Sequence, residues 1–184
     1  MAEVKNDQTI SAEQKTELLK LCLGTLDQYC REGTIPEYVT DDPALLRPAA
    51  VFVTLRIRGM LRGCVGQIQA EYPLYLAVQN AAVAAGFSDP RFPRLCEEEV
   101  PLLQLKIAVL SPLEPIQPEE VEVGKHGLLI ISGIRRGLLL PEVASEHHWD
   151  LNTYLESLCM KAGLPSGAWK RGASLYAFTT EVIE

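Results

Sequence analysis

Apolar positions in the first part of the chain recur at steps of three and four. Leu18, Leu19, Cys22, Leu23, Leu26 and Tyr29 fall on one helical face. Ser11 with Gln14 three positions later matches a capping box, and Gly33 supplies a stop. A helix is predicted from about 11 to 31, after a tail at 1–10. Pro36, Pro43 and Pro48 then mark a linker or a short turn of helix. From Val51 the period changes to two. Val51 to Ile57 alternates and is β-branched, Arg58-Gly59 makes a turn, and Met60 to Ile68 returns as the second strand of a hairpin. Pro73 opens an alanine-rich helix to about Ala85.

The second half repeats the alternation of periods. Leu103 to Leu110 reads as a strand, and Leu128 to Ser132 as another. Pro112, Pro115 and Pro118 make a stiff connection between them. A basic turn over 133–137 leads to Leu138–Leu140. Pro141 opens a short helix ending near His148, and Asp150 caps another with Leu151, Tyr154, Leu155 and Leu158 inward. Gly163 stops it, Trp169 anchors a loop, and a final strand is predicted over 175–183. Hairpins with separated helices define an α+β fold, an antiparallel sheet with flanking helices, and not a series of βαβ units.

Composition narrows the class. The 184 residues suffice for one domain or two small lobes. No apolar run approaches the roughly 20 residues of a membrane span. Met1 to Ser11 is polar, without a signal-peptide core. Five cysteines, an odd number without paired spacing, favour reduced thiols and a cytoplasmic location. The net charge of −7 comes from the two ends, because residues 50–140 hold nine basic and nine acidic side chains. No basic stripe of the kind nonspecific nucleic-acid binding needs is present.

The chemistry concentrates at Leu61-Arg62-Gly63-Cys64-Val65-Gly66. Glycines on both sides leave a cysteine reachable, and a neighbouring arginine stabilises a thiolate. The competing reading is a bulged strand end with Cys64 as a small core residue. Register decides between Val53 and Leu55 as its companions, or Thr54 and Arg56, because one residue of slip exchanges the faces. Two further segments carry polar groups in rigid surroundings. Asp89-Pro90-Arg91-Phe92-Pro93 has prolines that restrict Asp89 and Phe92, and so set the direction of Arg91. Gly124-Lys125-His126-Gly127 places a histidine between glycines. His147 and His148 are adjacent and lack the spacing of a helical metal pair. No zinc signature, phosphate-binding glycine motif or serine nucleophile elbow is present, so no metal or cofactor is expected.

Taken together these segments resemble the AMMECR domain family, whose microbial members are also called AmmeMemoRadiSam system protein A. The resemblance rests on LRGCVG at 61–66, DPRFPRL at 89–95, Glu99, VGKHGLLI at 123–130, LLLPEVASEHHWD at 138–150, KAGLP at 161–165 and Trp169. Val65 stands where Ile is usual, and Glu142 where microbial relatives often have Gln. The resemblance implies a single domain over 1–184 with two lobes and a central cleft lined by these segments. It also implies a pathway shared with a Memo-type protein and a radical S-adenosylmethionine enzyme.

Three function classes follow. In a cysteine-dependent enzyme, Cys64 is the nucleophile, His126 its base, and Arg62, Asp89, Arg91 and Glu99 bind a small anionic substrate. In a noncatalytic module, the same cleft binds a small molecule or a partner protein. The third class, a nucleic-acid factor, is disfavoured by the acidic charge.

Overall fold

The structure, a computed structural model, describes residues 9–184. The chain divides into two compact units. One runs to Val109 and regains Glu181–Glu184; the other is Leu110–Thr180.

The first unit begins with helix α1, Ala12–Glu32. Ser11 and Gln14 cap each other as the sequence predicts, and Gly33 ends the helix at φ 71°. Most of the predicted tail lies outside the described residues. Its last member, Ile10, is buried, and its N–H is shared by both carboxylate oxygens of Glu181. A four-residue helix, α2 at Pro43–Leu46, interrupts the proline-rich stretch. Strands β1, Pro48–Ile57, and β2, Met60–Pro73, form the hairpin. Its turn residues Arg58 and Gly59 both have positive φ, which matches the right-handed twist of the strands. Helix α3, Leu74–Phe87, packs on the hairpin. A 3-10 helix at Glu97–Leu102 leads into β3, Leu103–Leu110. Leu18, Leu26, Val51, Val53, Leu55, Leu74 and Val78 fill the core.

The second unit holds β4 at Glu114–Pro115, β5 at Gly127–Ser132 and β6 at Arg135–Leu139. Helices α4, Pro141–Glu146, and α5, Leu151–Lys161, follow, the latter capped by the Asp150 carboxylate. Strand β7 is Ser174–Phe178, and the chain ends in β8, Thr180–Ile183. Leu128, Ile130, Tyr154, Leu155 and Leu158 form this unit's core.

The fold is α+β, with two four-stranded sheets ordered β2-β1-β3-β8 and β4-β7-β5-β6. Three details differ from the sequence expectation. The final strand is two strands in different sheets. Thr179 breaks it, exchanging backbone and hydroxyl hydrogen bonds with Ser111. The basic turn over 133–137 is shorter, since Gly133 at φ 59° reverses the chain early and Arg135 and Arg136 already pair with Ser132 and Ile131. Strand β2 extends five residues past Ile68, beyond an irregularity opposite Ala50.

Candidate functional site

The hairpin register resolves the environment of Cys64. Thr54 pairs with Cys64, and their side chains meet with Oγ1 3.2 Å from Sγ. The partners are therefore the polar set and not Val53 and Leu55. The ladder shifts between Leu55↔Gly63 and Arg56↔Leu61, so Arg62 is the bulged residue. The two glycines do different work from a bulge. A Cβ on Gly63 would overlap the Ala85 carbonyl of α3, and one on Gly66 would overlap the Val51 carbonyl and Phe52 of β1. Neither has positive φ. The motif is glycine-rich because other backbone presses on β2 from both sides.

The donors of Arg62 are taken up by the loop and by Glu99. Its Nε and Nη2 donate to the two oxygens of Glu99 at 2.7 and 2.8 Å. Nη1 donates to the Pro93 carbonyl and Nη2 also to that of Arg94. This bidentate bond holds the Glu99 carboxyl down at about 2. Glu99 also accepts the backbone N–H of Cys96. Arg62 thus ties the strand to the loop at 88–96, and its hydrogen bonds go to Glu99, Pro93 and Arg94.

Arg91 stands next to Cys64 instead. Asp89 is buried, and its carboxylate accepts the backbone N–H of Cys64 at 2.9 Å. The same carboxylate accepts Arg91 Nε at 2.9 Å and Nη2 at 2.7 Å, and Arg91 Nη2 reaches the Cys64 carbonyl at 3.2 Å. The guanidinium beside Asp89 holds its carboxyl well below the usual range, against the effect of burial. Arg91 lies over the Phe92 ring and Arg94 over Phe87, both at 5.4 Å. The phenylalanines are half-buried, while Leu95 fixes the loop in the core and donates its N–H to the Gly86 carbonyl.

Five of the six candidate residues therefore belong to the first unit: Arg62, Cys64, Asp89, Arg91 and Glu99. They form one braced strand and loop. His126 belongs to the second unit. There its Nδ1 accepts the backbone N–H of Glu122 at 3.1 Å, and its carbonyl accepts the Tyr154 hydroxyl. A ring whose Nδ1 accepts is, when neutral, the Nε2–H tautomer, a hydrogen-bond donor. His147 and His148 are exposed.

Sequence reasoning missed Gln67. Its Nε2 is enclosed and, among the described residues, meets no acceptor. The signal was period two: Gly63, Val65 and Gln67 share the strand face that α3 covers, where a polar side chain needs a partner.

Two small sheets, with a glycine-flanked cysteine on an edge strand tied to a proline-bounded loop, define the class: a two-sheet α+β protein of AMMECR type. The AMMECR1 family model matches residues 19–183, and the chain belongs to that family. A Methanosarcina acetivorans protein is 38% identical over 176 residues, covering 90% of this chain and 88% of the relative. A Thermococcus gammatolerans protein is 39% identical over 180 residues, covering 91% and 88%. The crystal structure of the uncharacterized protein PH0010 from Pyrococcus horikoshii superimposes with TM-score 0.88 at 37% identity, covering 94% of this chain and 92% of that one. None of these names states an activity.

Proposed function

We propose that this AMMECR-domain protein is a binding module that captures a small anionic group at Arg91, beside Cys64. One observation carries the reading. Asp89 holds Arg91 through Nε and Nη2, yet the arginine side chain is 55% exposed and, among the described residues, Nη1 donates to no protein acceptor. A guanidinium has five donors, and one carboxylate cannot occupy them all. Its direction is fixed in advance, so little rotamer freedom is lost on binding. Memo-type and radical S-adenosylmethionine proteins are the partners this module would serve.

The second reading, a cysteine-dependent enzyme, draws on the half-buried Cys64 thiol with the Thr54 hydroxyl at 3.2 Å. Binding is the better supported of the two. The carboxylates near Cys64 are engaged by arginines and held ionised at low pKa, which makes them weak bases.

The test is titration of the ¹⁵N-labelled chain with inorganic phosphate and with acetate, followed at the Arg91 and Cys64 amides. Saturable shifts are expected. The double variant Asp89→Asn/Arg91→Gln keeps an amide oxygen for the Cys64 N–H and removes both charges; it should fold and lose the shifts. Wild-type protein that shows no saturable shift overturns the binding reading. Anion-independent alkylation of Cys64 ahead of Cys22, Cys30, Cys96 and Cys159 by limiting iodoacetamide would favour the enzyme.

A further inference from the structure

Strand β2 is the edge of its sheet, with β1 as its one neighbour there. In an antiparallel ladder every second residue turns its N–H and C=O away from the partner strand. Cys64 is such a residue, because its N–H donates to Asp89 and its carbonyl accepts from Arg91 Nη2. The register runs without a shift from Leu55↔Gly63 to Val51↔Gln67, so Gly66 turns its own pair outward in the same way. Gly66 is half-buried and, among the described residues, its outward N–H and carbonyl meet no partner. An open N–H and C=O on a sheet edge is where an extended chain adds as a further strand.

The length of open edge decides what kind of chain fits. Beside Cys64 the loop at 89–91 already takes the place of a neighbouring strand. In the other direction, residues 68–71 lie between the pairs Val51↔Gln67 and Ala49↔Tyr72 and leave the regular ladder. A long strand, such as the edge of a second copy, finds too little to pair with. The opening takes the end of a chain. Charge then selects which end. Arg91 stands at the stop with an exposed side chain, and among the described residues its Nη1 donates to no protein acceptor. An N-terminal ammonium is repelled there, and a C-terminal carboxylate is attracted.

Resting on the anion reading above, we infer that the group taken at Arg91 is the C-terminal carboxylate of an extended peptide, which adds to the β2 edge at Gly66. A chain that meets the stop with its C-terminus runs antiparallel to β2. Its penultimate residue exchanges two hydrogen bonds with Gly66. Its carboxylate falls where the next N–H of a longer strand would face the Cys64 carbonyl, the atom Arg91 Nη2 already holds.

The test titrates the full ¹⁵N-labelled chain with N-acetyl-trialanine, with its C-terminal amide and with acetate, followed at the Gly66, Cys64 and Arg91 amides. The acid should bind at least about tenfold tighter than acetate, through its main-chain bonds, and shift Gly66 as well as Arg91. The C-terminal amide should bind at least about tenfold more weakly than the acid. N-methylation separates the two sides of the peptide. At the penultimate residue it removes the donor to the Gly66 carbonyl and should weaken binding about tenfold. At the last residue, whose N–H points away from β2, it should change affinity by less than about threefold. Phosphate at saturation should displace the acid, since both need Arg91. If acetate and phosphate bind while the acid binds no tighter than acetate, or leaves Gly66 unshifted, the peptide assignment is overturned and the anion reading stands. An amide as good as the acid, two N-methyl peptides of equal affinity, or an acid that phosphate does not displace would overturn the peptide assignment too. No saturable shift from phosphate, acetate or the acid would overturn the anion reading, and this assignment with it.

Discussion

Two arginine–carboxylate pairs brace the same strand and loop, and they are built in opposite ways. In Arg62–Glu99 the arginine is the enclosed partner, 11% exposed against 26% for the glutamate. Its donors reach the carboxylate and two loop carbonyls. In Asp89–Arg91 the carboxylate is enclosed, at 2%, and the arginine is 55% exposed. The aspartate holds backbone and guanidinium together while the arginine faces outward. Identical chemistry thus serves two ends. A buried guanidinium joins pieces of chain; an exposed one on a buried anchor is presented to a ligand.

The largest expected effect lies at the enclosed carboxylate. Asp89→Ala leaves the Cys64 N–H without its acceptor and Arg91 without its anchor. It should cost about 3 kcal/mol in urea denaturation, the scale of a broken, partly buried charge pair plus an unsatisfied donor. A cost under about 1 kcal/mol, the usual worth of an exposed pair, would show that Arg62 and Glu99 alone fix the strand to the loop.

Local order in the chain was legible because it depends on neighbours in sequence. The Ser11–Gln14 cap, the Gly33 stop, the Arg58-Gly59 turn and the Asp150 cap all stand where the pattern put them. The pattern also marked Arg91 as restricted, through Pro90 after Asp89 and Pro93 after Phe92, but left its partner open, and that partner is Asp89. What the pattern left open required long-range contacts. Nothing near Arg62 in sequence reveals that a bulge sends it to Glu99, 37 residues away. The close approach of Ala85 and Val51 to the two glycines is equally invisible from the motif. The break at Thr179 depends on Ser111, 68 residues earlier. Period two gave the alternation of β2 but not its register, and so left Thr54 as one of two options.

Acid separates the pairs next. The Glu99 carboxyl lies at about 2 in the folded chain, below its ordinary 4.5, chiefly through Arg62. A lowered folded pKa means the unfolded chain takes up the proton first as pH falls. The stabilisation is therefore complete above about 4.5 and is lost on the way down to about 2. Asp89 acts in the same direction, with its loss reaching lower pH. Glu99→Gln should lower stability at neutral pH and flatten the decline between those limits, measured as urea midpoints along a pH series. An unchanged acid slope would remove Glu99 from the acid response and assign it to Asp89.

The smallest and most discriminating comparison is one substitution made at both arginines. Arg→Lys keeps the charge and removes the planar fork. At residue 62 the ammonium would sit in enclosed surroundings, with three donors on one atom where the native group spreads four bonds over Glu99, Pro93 and Arg94. Arg62→Lys should cost about 2 kcal/mol, because carbonyls of the loop lose their donors as well as the carboxylate its bidentate partner. At residue 91 the ammonium still reaches Asp89 from the solvent side, and the lost bonds are the second contact to Asp89 and the one to the Cys64 carbonyl. Arg91→Lys should cost about 1 kcal/mol or less, as expected where water replaces what is lost. Anion binding should show the reverse order. Arg62→Lys should leave phosphate affinity near wild type, provided the protein is folded at the temperature used. Arg91→Lys should weaken it, since a point charge replaces an oriented pair of donors. Equal stability losses at the two sites, or equal affinity losses, would mean that the exposed guanidinium is a brace like its neighbour and that the outward edge has no ligand.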